Sequence, residues 1–492
     1  MRKILFGTIL SLSVLLISCD LDKYPEDSIA TNTAWTSITD AMKFRDGIYG
    51  LFQSINGGIY TYTSDYQSDL FNATISYSNR GGDMYRWDFT SSQYDIEDIY
   101  EFNYECINNC NNIIQNISTI AIKSDEEQAQ ADMIKGEAHL MRAICYHTLV
   151  LRFAKDYEPA TVATDLGLPL VLEVDPNAKP ERATLAKTYE LIKSDISEAR
   201  TFLKTEGEAN SVYFTVDVID AFEARVDLYM HNYSEAINLA KRIIDKYPLI
   251  SASDELAKMW LNDEGSEVVY KVFMSKDERG DLTSSAPCAF PYYLNYSTGL
   301  NKLSPDFIPT KWVVELYENS DIRKETSFRQ DEITCLSTTA PDIFLLNKYP
   351  GNPALKKSEY EYYQMSKLFR SAEAYLIAAE ASYSDGDPST ALGYLNDLRI
   401  ARSASSLNIS GEDVLKAIKE EWIREFVGEG NRLNDLKRWH DGFSRHGVQN
   451  SSIVLSGVNL DQKAVAANDI RFVWEIPAND LKANTNLIPN WK

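Results

Sequence analysis

The sequence predicts a mainly α-helical protein in which helical hairpins repeat, with long irregular loop insertions and a few short strands. Apolar residues recur at intervals of three and four through much of the chain, which is typical of amphipathic helices. Two of these helical segments can be superposed on each other. Two other stretches, residues 56–89 and 277–309, combine aromatic, polar and proline or glycine residues and have no helical period, so they are expected to be insertions.

The helical period defines the framework of the chain. In the first segment, Ile99, Cys106, Ile107 and Ile113 fall on one face. The predicted helices cover residues 94–120, 133–153, 184–203, 216–230, 233–247, 367–384, 389–402 and 413–439.

Two pairs of these helices share one spacing of small and large residues. The first pair carries Ala224, Leu228, Ala236, Ala240 and Ile243, and the second carries Ala379, Tyr383, Ala391, Leu395 and Leu398. Small residues twelve apart on paired helices are the packing signature of tetratricopeptide repeats. Alanine lets the two helices of a hairpin approach closely. We therefore predict degenerate tetratricopeptide-repeat hairpins, the alternative being a helical bundle whose alanines coincide.

Composition excludes several classes of protein. The chain has 492 residues, 44% hydrophobic and 25% charged, with a formal net charge of −23. These fractions exclude wholesale disorder, and the charge repels phosphate backbones, which disfavours nucleic acid as a partner. The length alone suggests about three domain-sized units.

Residues 1–19 resemble the signal of a bacterial lipoprotein. Arg2 and Lys3 precede a short apolar run that ends in Leu16-Ile17-Ser18-Cys19, a charged and then apolar pattern typical of export signals. The resemblance implies cleavage before Cys19 and acylation of that residue, with palmitate as the expected acyl chain and stable anchoring in a membrane. The alternatives are an ordinary secretory signal with an incidental cysteine and a buried N-terminal helix.

The titratable residues indicate binding rather than catalysis. Glu421, Glu425 and Glu429 repeat every four residues on one predicted helix, so they cannot flank a sugar from opposite sides as glycoside hydrolysis requires. We predict instead that they pair with arginines of neighbouring helices. Cys106 and Cys110 share a helix face without a metal-binding spacing and are interpreted as buried thiols. The five histidines form no catalytic motif. No cofactor is indicated, and in so acidic a chain no divalent cation site can be placed.

The two insertions carry the residues that suit a glycan. Sugars present apolar faces ringed by hydroxyls, so their sites combine aromatic platforms with polar edges. The candidate ligand-binding residues are Tyr66, Asn72, Tyr85 and Trp87 in the first stretch, and Tyr292, Tyr293, Asn295 and Tyr296, followed by Trp312, in the second. About half of these rings are expected to be core, because aromatic side chains dominate packing generally.

Several motifs together resemble the SusD/RagB family of outer-membrane nutrient-binding lipoproteins. The most specific begins at Glu421-Trp-Ile-Arg-Glu-Phe-Val-Gly-Glu-Gly-Asn-Arg432 and continues in Asp435-Leu-Lys-Arg-Trp439. It is similar to the family pattern of glutamates, glycine and arginines, with Trp422 and Asn431 departing from the usual residues. Further similarity lies in residues 19–25, 136–143, 165–170, 180–182 and 476–490.

The resemblance covers essentially the whole chain and implies a function. Members are helical repeat proteins that act as lids on TonB-dependent transporters and capture glycans or, in some cases, peptides at the cell surface. The chain is thus expected to divide into a signal peptide (1–18), an N-terminal part (19–250), a loop-rich insertion (251–366) and a C-terminal part (367–492). A peptide-binding lipoprotein, a lipid-anchored hydrolase and a cytosolic repeat scaffold are the alternatives.

Overall fold

The computed structural model describes residues 34–77, 79, 81–277, 296–297, 302–356 and 362–491, and at residues 59, 296, 297 and 302 the backbone only. The predicted signal peptide and Cys19 lie outside these residues. Among the residues described, none of the helices is both long enough and apolar enough to cross a membrane.

The fold is mainly α, as the sequence predicts, and its strands are short. The helices are α1 (Ile38–Ile55), α2 (Ile59–Tyr66), α3 (Gly82–Arg86), α4 (Tyr94–Asn116), α5 (Asp125–Phe153), α6 (Leu185–Phe202), α7 (Val216–Tyr229), α8 (Tyr233–Lys246), α9 (Ser253–Asn262), α10 (Lys311–Glu315), α11 (Ile322–Ser327), α12 (Ser371–Ser384), α13 (Pro388–Ala401), α14 (Glu412–Phe426), α15 (Arg432–Arg438) and α16 (Ala478–Ala483).

The strands form small sheets between the helices. They are β1 (Phe71–Ala73), β2 (Leu166–Pro169), β3 (Arg182–Thr184), β4 (Val268–Lys271), β5 (Tyr296–Ser297), β6 (Lys302–Leu303), β7 (Phe307–Pro309), β8 (Phe328–Cys335), β9 (Thr338–Leu346), β10 (Lys367–Arg370), β11 (Phe443–Ser444) and β12 (Ala464–Val465). The pairs β1–β7, β2–β3, β4–β10 and β11–β12 are antiparallel. The order of the remaining sheet is β5–β6–β8–β9.

The two superposable segments are helical hairpins that pack against each other. Helices α7 and α8 form the first hairpin, α12 and α13 form the second, and α8 lies against α12. Ala224, Ala236, Ala379 and Ala391 are all buried, which allows the close helix approach that the spacing predicts. Upstream, α4, α5 and α6 pack in sequence, and α1 covers α4 and α5.

Local sequence explains where the second hairpin turns. Helix α12 ends at Ser384, and the turn that follows contains Gly386, which has a φ of 90°, a left-handed conformation that glycine adopts at little steric cost. Asp387 then caps α13 by accepting a hydrogen bond from the Thr390 amide at 3.0 Å, and Pro388 occupies the first helical position. In the first hairpin the turn is made by His231, with a φ of 61°.

Several predicted elements differ from the structure. The helix predicted over 133–153 begins earlier, at Asp125. Residues 367–370 form β10, because Phe369 and Arg370 pair with β4, and a helix begins only at Ser371. The helix predicted over 413–439 is interrupted after Phe426, where Gly428 and Gly430 both have left-handed backbones. The stretch 56–89, predicted to lack helix, contains α2 and α3.

A buried cluster of charges joins these elements around α14. The carboxylate of Glu425 lies 2.8 Å from Arg370, 3.0 Å from Arg402 and 3.1 Å from Arg323. Glu421 lies 2.6 Å from Arg323. These pairs confirm the prediction that the helical glutamates bind arginines of neighbouring elements. Burial alone would raise the pKa of Glu425, but the charges of the three arginines outweigh it and hold that pKa well below its ordinary value.

Substitution of Glu425 is expected to destabilise the fold strongly. Glu425→Ala leaves three buried arginines with less compensating charge, so we expect the free energy of unfolding to fall by about 3–5 kcal/mol. Glu420→Ala removes a more exposed carboxylate, paired with Arg424 one helical turn away, and should cost less than about 1 kcal/mol. Urea unfolding of both variants measures the difference; equal losses would contradict a central role for Glu425.

Candidate functional site

The two aromatic insertions meet in space. Strand β1 of the first insertion pairs with β7 of the second, with Phe71 opposite Pro309 and Ala73 opposite Phe307. The hydroxyl of Thr74 extends the contact by donating to the Pro305 carbonyl at 2.6 Å. The sequence predicted two binding stretches without a relation between them, and the structure joins them through one buried ribbon. We call this ribbon, with the partly exposed groups at its two ends, the β1–β7 face.

Tyr85 packs against Phe307 beneath this face, and Trp87 lies in the core. Both side chains are fully buried. The indole nitrogen of Trp87 donates to the Gln67 carbonyl at 2.6 Å, and its ring packs edge-on against Phe472. The guanidinium of Arg445 lies 3.6 Å from the ring centre of Tyr85, a cation–π contact. These rings support the surface from inside the core.

Tyr66 and Asn72 are also buried. The ring of Tyr66 stacks on Phe307 of β7, with 5.1 Å between ring centres. Side chains without exposed surface offer none to a sugar. The prediction that Tyr66, Asn72, Tyr85 and Trp87 face a ligand is therefore corrected: in this structure they are core residues that shape the β1–β7 face. Partners distant in the sequence cover them, which the local pattern did not reveal.

The structure describes only part of the second insertion. Tyr292, Tyr293 and Asn295 lie outside the described residues. Tyr296 is described as backbone only and pairs with Leu303 between β5 and β6. These four assignments stay predictions.

Trp312 is the aromatic side chain that reaches the surface beside β7. It is half-buried, and its ring stacks on the exposed His446 with 5.4 Å between centres and 24° between planes. The indole nitrogen donates to the Asp69 carbonyl at 3.3 Å, which fixes the edge of the ring. The sequence indicated Trp312, but gave no signal for His446, because the two residues are adjacent only in the fold.

The family-like motif after α14 holds Trp312 in place from below. The guanidinium of Arg432 binds the Asp69 carboxylate through two hydrogen bonds of 2.9 and 2.8 Å, a bidentate geometry that fixes orientation. The Asp69 carbonyl in turn accepts the Trp312 indole. Gly430 approaches α2 so closely that a Cβ on it would lie 2.3 Å from the Thr61 carbonyl oxygen. The family-like motif, which the sequence predicted to be structural, thus also positions the ring of Trp312.

A polar group lies at the other end of the β1–β7 ribbon. The ring of Tyr77 packs on Phe307, with 5.2 Å between centres. Nearby, Arg86 binds Asn79 and Asp83, each at 2.5 Å. Arginine and amide groups beside an aromatic ring are what a sugar edge requires. Arg86 was not among the predicted residues, although Tyr77, Asn79 and Asp83 belong to the stretch that was.

Comparison with known proteins agrees with this architecture. A family model described as "SusD family" matches residues 334–491, and one described as "Starch-binding associating with outer membrane" matches residues 21–228. The chain belongs to the SusD/RagB family. A SusD-like protein of Formosa agariphila is 24% identical and aligns with 89% of this chain and 90% of its own length.

Solved structures of SusD proteins share the fold. A SusD superfamily protein from Bacteroides thetaiotaomicron superposes with a TM-score of 0.80 at 27% identity, covering 93% of this chain and 100% of that chain. A laminarin-binding SusD-like protein superposes with a TM-score of 0.69 at 18% identity, covering 93% and 100%. The second likeness is one of fold.

Beside the charge cluster of this SusD/RagB protein there is a small cavity. Its volume is ≈ 80 Å³, and Trp260, Tyr349, Lys367 and Glu429 are among the residues that line it. Ligand pockets are usually about 300 Å³ or more, and a water molecule takes about 30 Å³. The cavity therefore suits a few water molecules, and the β1–β7 face remains the candidate site.

The buried carboxyl of Asp65, which contacts Gly430, makes the stability of the fold depend on pH. Its carboxylate accepts the Gly430 amide at 3.0 Å, and burial raises its pKa to about 7 even though that hydrogen bond acts to lower it. The folded state therefore keeps a proton that the unfolded chain loses near pH 4. Because the folded state binds the extra proton, its stability should fall as pH rises from about 4 to about 7 and then level off.

Asp65→Asn should remove that fall. We expect the stability of the variant relative to the parent to improve, by up to about 2.6 kcal/mol, between about pH 5 and about pH 8. Urea unfolding at both pH values measures it. Glu190→Gln, which removes an exposed carboxyl from α6, is the control and should leave the pH profile of the parent. An unchanged profile in Asp65→Asn would contradict this explanation.

Proposed function

We propose that this SusD/RagB protein is a non-catalytic, lipid-anchored glycan-binding protein of the cell surface. It captures an oligosaccharide or polysaccharide and delivers it to a TonB-dependent transporter of the outer membrane. The observation that carries the proposal is the pairing of the two aromatic insertions at the β1–β7 face, with the half-exposed Trp312 at its edge. The descriptions of the family models and of the laminarin-binding relative support it.

The chemistry of the face suits a sugar chain. Trp312 offers an apolar ring to a pyranose face, and the stacked His446 widens that platform. Tyr77, Asn79 and Arg86 lie at the other end of the three-residue ribbon. Aromatic and polar groups at both ends favour a ligand of several linked units over a single sugar.

The charged motif supports a binding role rather than hydrolysis. Glycoside hydrolysis requires two carboxyl groups on opposite sides of the bond that is cleaved. Glu421 and Glu425 are buried and held by arginines, so they do not meet a ligand. Incubation with each glycan of a panel should release no product; measurable release would contradict the proposal.

Substitution of Trp312 should weaken glycan binding. For the full chain, we expect Trp312→Ala to raise the Kd for the best glycan of a polysaccharide panel at least about tenfold, because loss of an anchoring ring typically costs more than 1.4 kcal/mol. Affinity electrophoresis identifies the glycan and titration calorimetry measures the Kd.

Trp35→Ala is the matched control for this substitution. Trp35 is also half-buried and stacked on one ring, that of Phe44 at 4.3 Å, but it lies three residues before α1. It should keep the Kd of the parent. If Trp312→Ala binds as tightly as the parent, the position of the site is wrong. If the parent binds no glycan but binds extended peptides, the peptide-binding function of the same architecture replaces the glycan.

Acylation should depend on Cys19. When the full precursor is expressed in a bacterium that processes lipoproteins, we expect labelled palmitate to enter the parent protein and not Cys19→Ser. Cys335→Ser removes a buried thiol from β8 and should keep the label. Label that persists in Cys19→Ser would contradict anchoring at this residue.

Mild crosslinking of cells tests whether the protein binds a TonB-dependent transporter. We expect an outer-membrane transporter to be recovered with the parent protein, and its absence would contradict delivery.

A further inference from the structure

Three side chains that could bind a metal converge at one edge of the helical framework. Asp156 and Glu158 follow the end of α5, and His440 follows α15. One nitrogen of the imidazole, Nε2, lies 2.8 Å from Glu158 Oε1 and 3.3 Å from Asp156 Oδ2. The potential ligand atoms all lie within 4.8 Å of one another. This His–Asp–Glu cluster is separate from the β1–β7 face.

The cluster has one direct basic partner among the described residues. Among the described residues, neither Asp156 nor Glu158 forms an ion pair with lysine or arginine, and His440 is their one basic partner. The neighbouring Lys155 is paired with Asp165 at 2.6 Å. The ammonium of Lys437 donates to the carbonyls of Leu151 and Ala154, and the charge of Asp156 acts on it without a direct ion pair. The two carboxylates therefore share one imidazole as their direct basic partner.

One oxygen of the cluster has no hydrogen-bond donor. The Nε2 atom of His440 can donate one hydrogen bond, and it is directed to Glu158 at 2.8 Å. Asp156 Oδ2 is enclosed yet accepts no hydrogen bond from the part of the chain that the structure describes. A buried polar atom without a partner is costly. A cation placed between the three side chains would satisfy this oxygen and neutralise both carboxylates.

We propose that Asp156, Glu158 and His440 form a binding site for a divalent first-row transition metal, with Zn²⁺ as the best fit. Zinc accepts imidazole nitrogen and carboxylate oxygen at about 2.0–2.2 Å, which in a tetrahedral site separates the ligand atoms by about 3.4 Å. The observed separations of 2.8 and 3.3 Å need little adjustment. An imidazole ligand favours such metals over Ca²⁺ and Mg²⁺, which prefer oxygen alone. Water would complete the coordination, since His440 is 60% exposed.

Bound metal would join two segments that are far apart in the chain. Glu158 and His440 are separated by 282 positions. Glu158 lies on the loop after α5, and His440 directly follows the family-like motif. A ligand that binds only the folded state raises its stability by mass action. The site therefore acts as a metal-dependent link between the N-terminal and C-terminal parts.

The test uses the full chain after removal of metals with a chelator. Titration calorimetry with ZnCl₂ should show one tight site per chain, and Co²⁺ should give the visible absorption bands of a bound tetrahedral ion. His440→Asn removes the imidazole while keeping a residue that tolerates the left-handed backbone found there. We expect this variant and Glu158→Gln each to weaken zinc binding at least about tenfold and to lose the rise in Tm that zinc gives the parent.

Two further measurements make the result decisive. His446→Ala removes the other exposed histidine, which lies six positions after His440 and is not part of the cluster, and should leave zinc affinity unchanged. If the parent binds no more zinc than His440→Asn, or if His446→Ala loses as much, the proposed site is wrong. If Ca²⁺ binds the parent and His440→Asn equally and zinc does not bind, the imidazole is not a ligand and the assignment of the metal fails.

Discussion

The fold depends on one buried carboxylate, that of Glu425, and on the three arginines around it. Arg323, Arg370 and Arg402 come from α11, β10 and the end of α13, so a single residue of α14 fixes the relative positions of three other elements. The same group reaches Glu267 before β4 through Arg370 and Arg402. Charges buried at this density are stable only when each is paired. The identity of these charged residues and the packing of the elements that carry them therefore constrain each other.

Much of the framework could be predicted, because helical periodicity is a local property. The paired alanines located both hairpins, and the glutamate–arginine motif was correctly expected to be structural. The errors occurred where a distant partner decides the local structure. Residues 367–370 carry a pattern compatible with a helix, but β4 lies beside them and pairs with their backbone.

The candidate site was harder to predict for the same reason. Composition located both insertions that form the β1–β7 face, but whether a ring is exposed depends on what covers it. Trp87 is buried because Phe443 and Phe472 cover it, and both come from the far end of the chain. Trp312 stays half-exposed because its neighbour, His446, is itself at the surface. The meeting of His440 with Asp156 and Glu158 also left no local signal.

The β1–β7 face is built from segments that are far apart in the chain, and this affects when it can fold during synthesis. The carboxylate of Asp65 accepts a hydrogen bond from the amide of Gly430, which lies 365 positions downstream. Contacts between such remote segments form late, because closing a long loop is entropically slow. A ribosome would have made most of the polypeptide before this surface could assemble. A nascent or prematurely terminated chain would thus carry the aromatic residues without the buried contacts that position them. It would gain affinity for its ligand only when synthesis is complete.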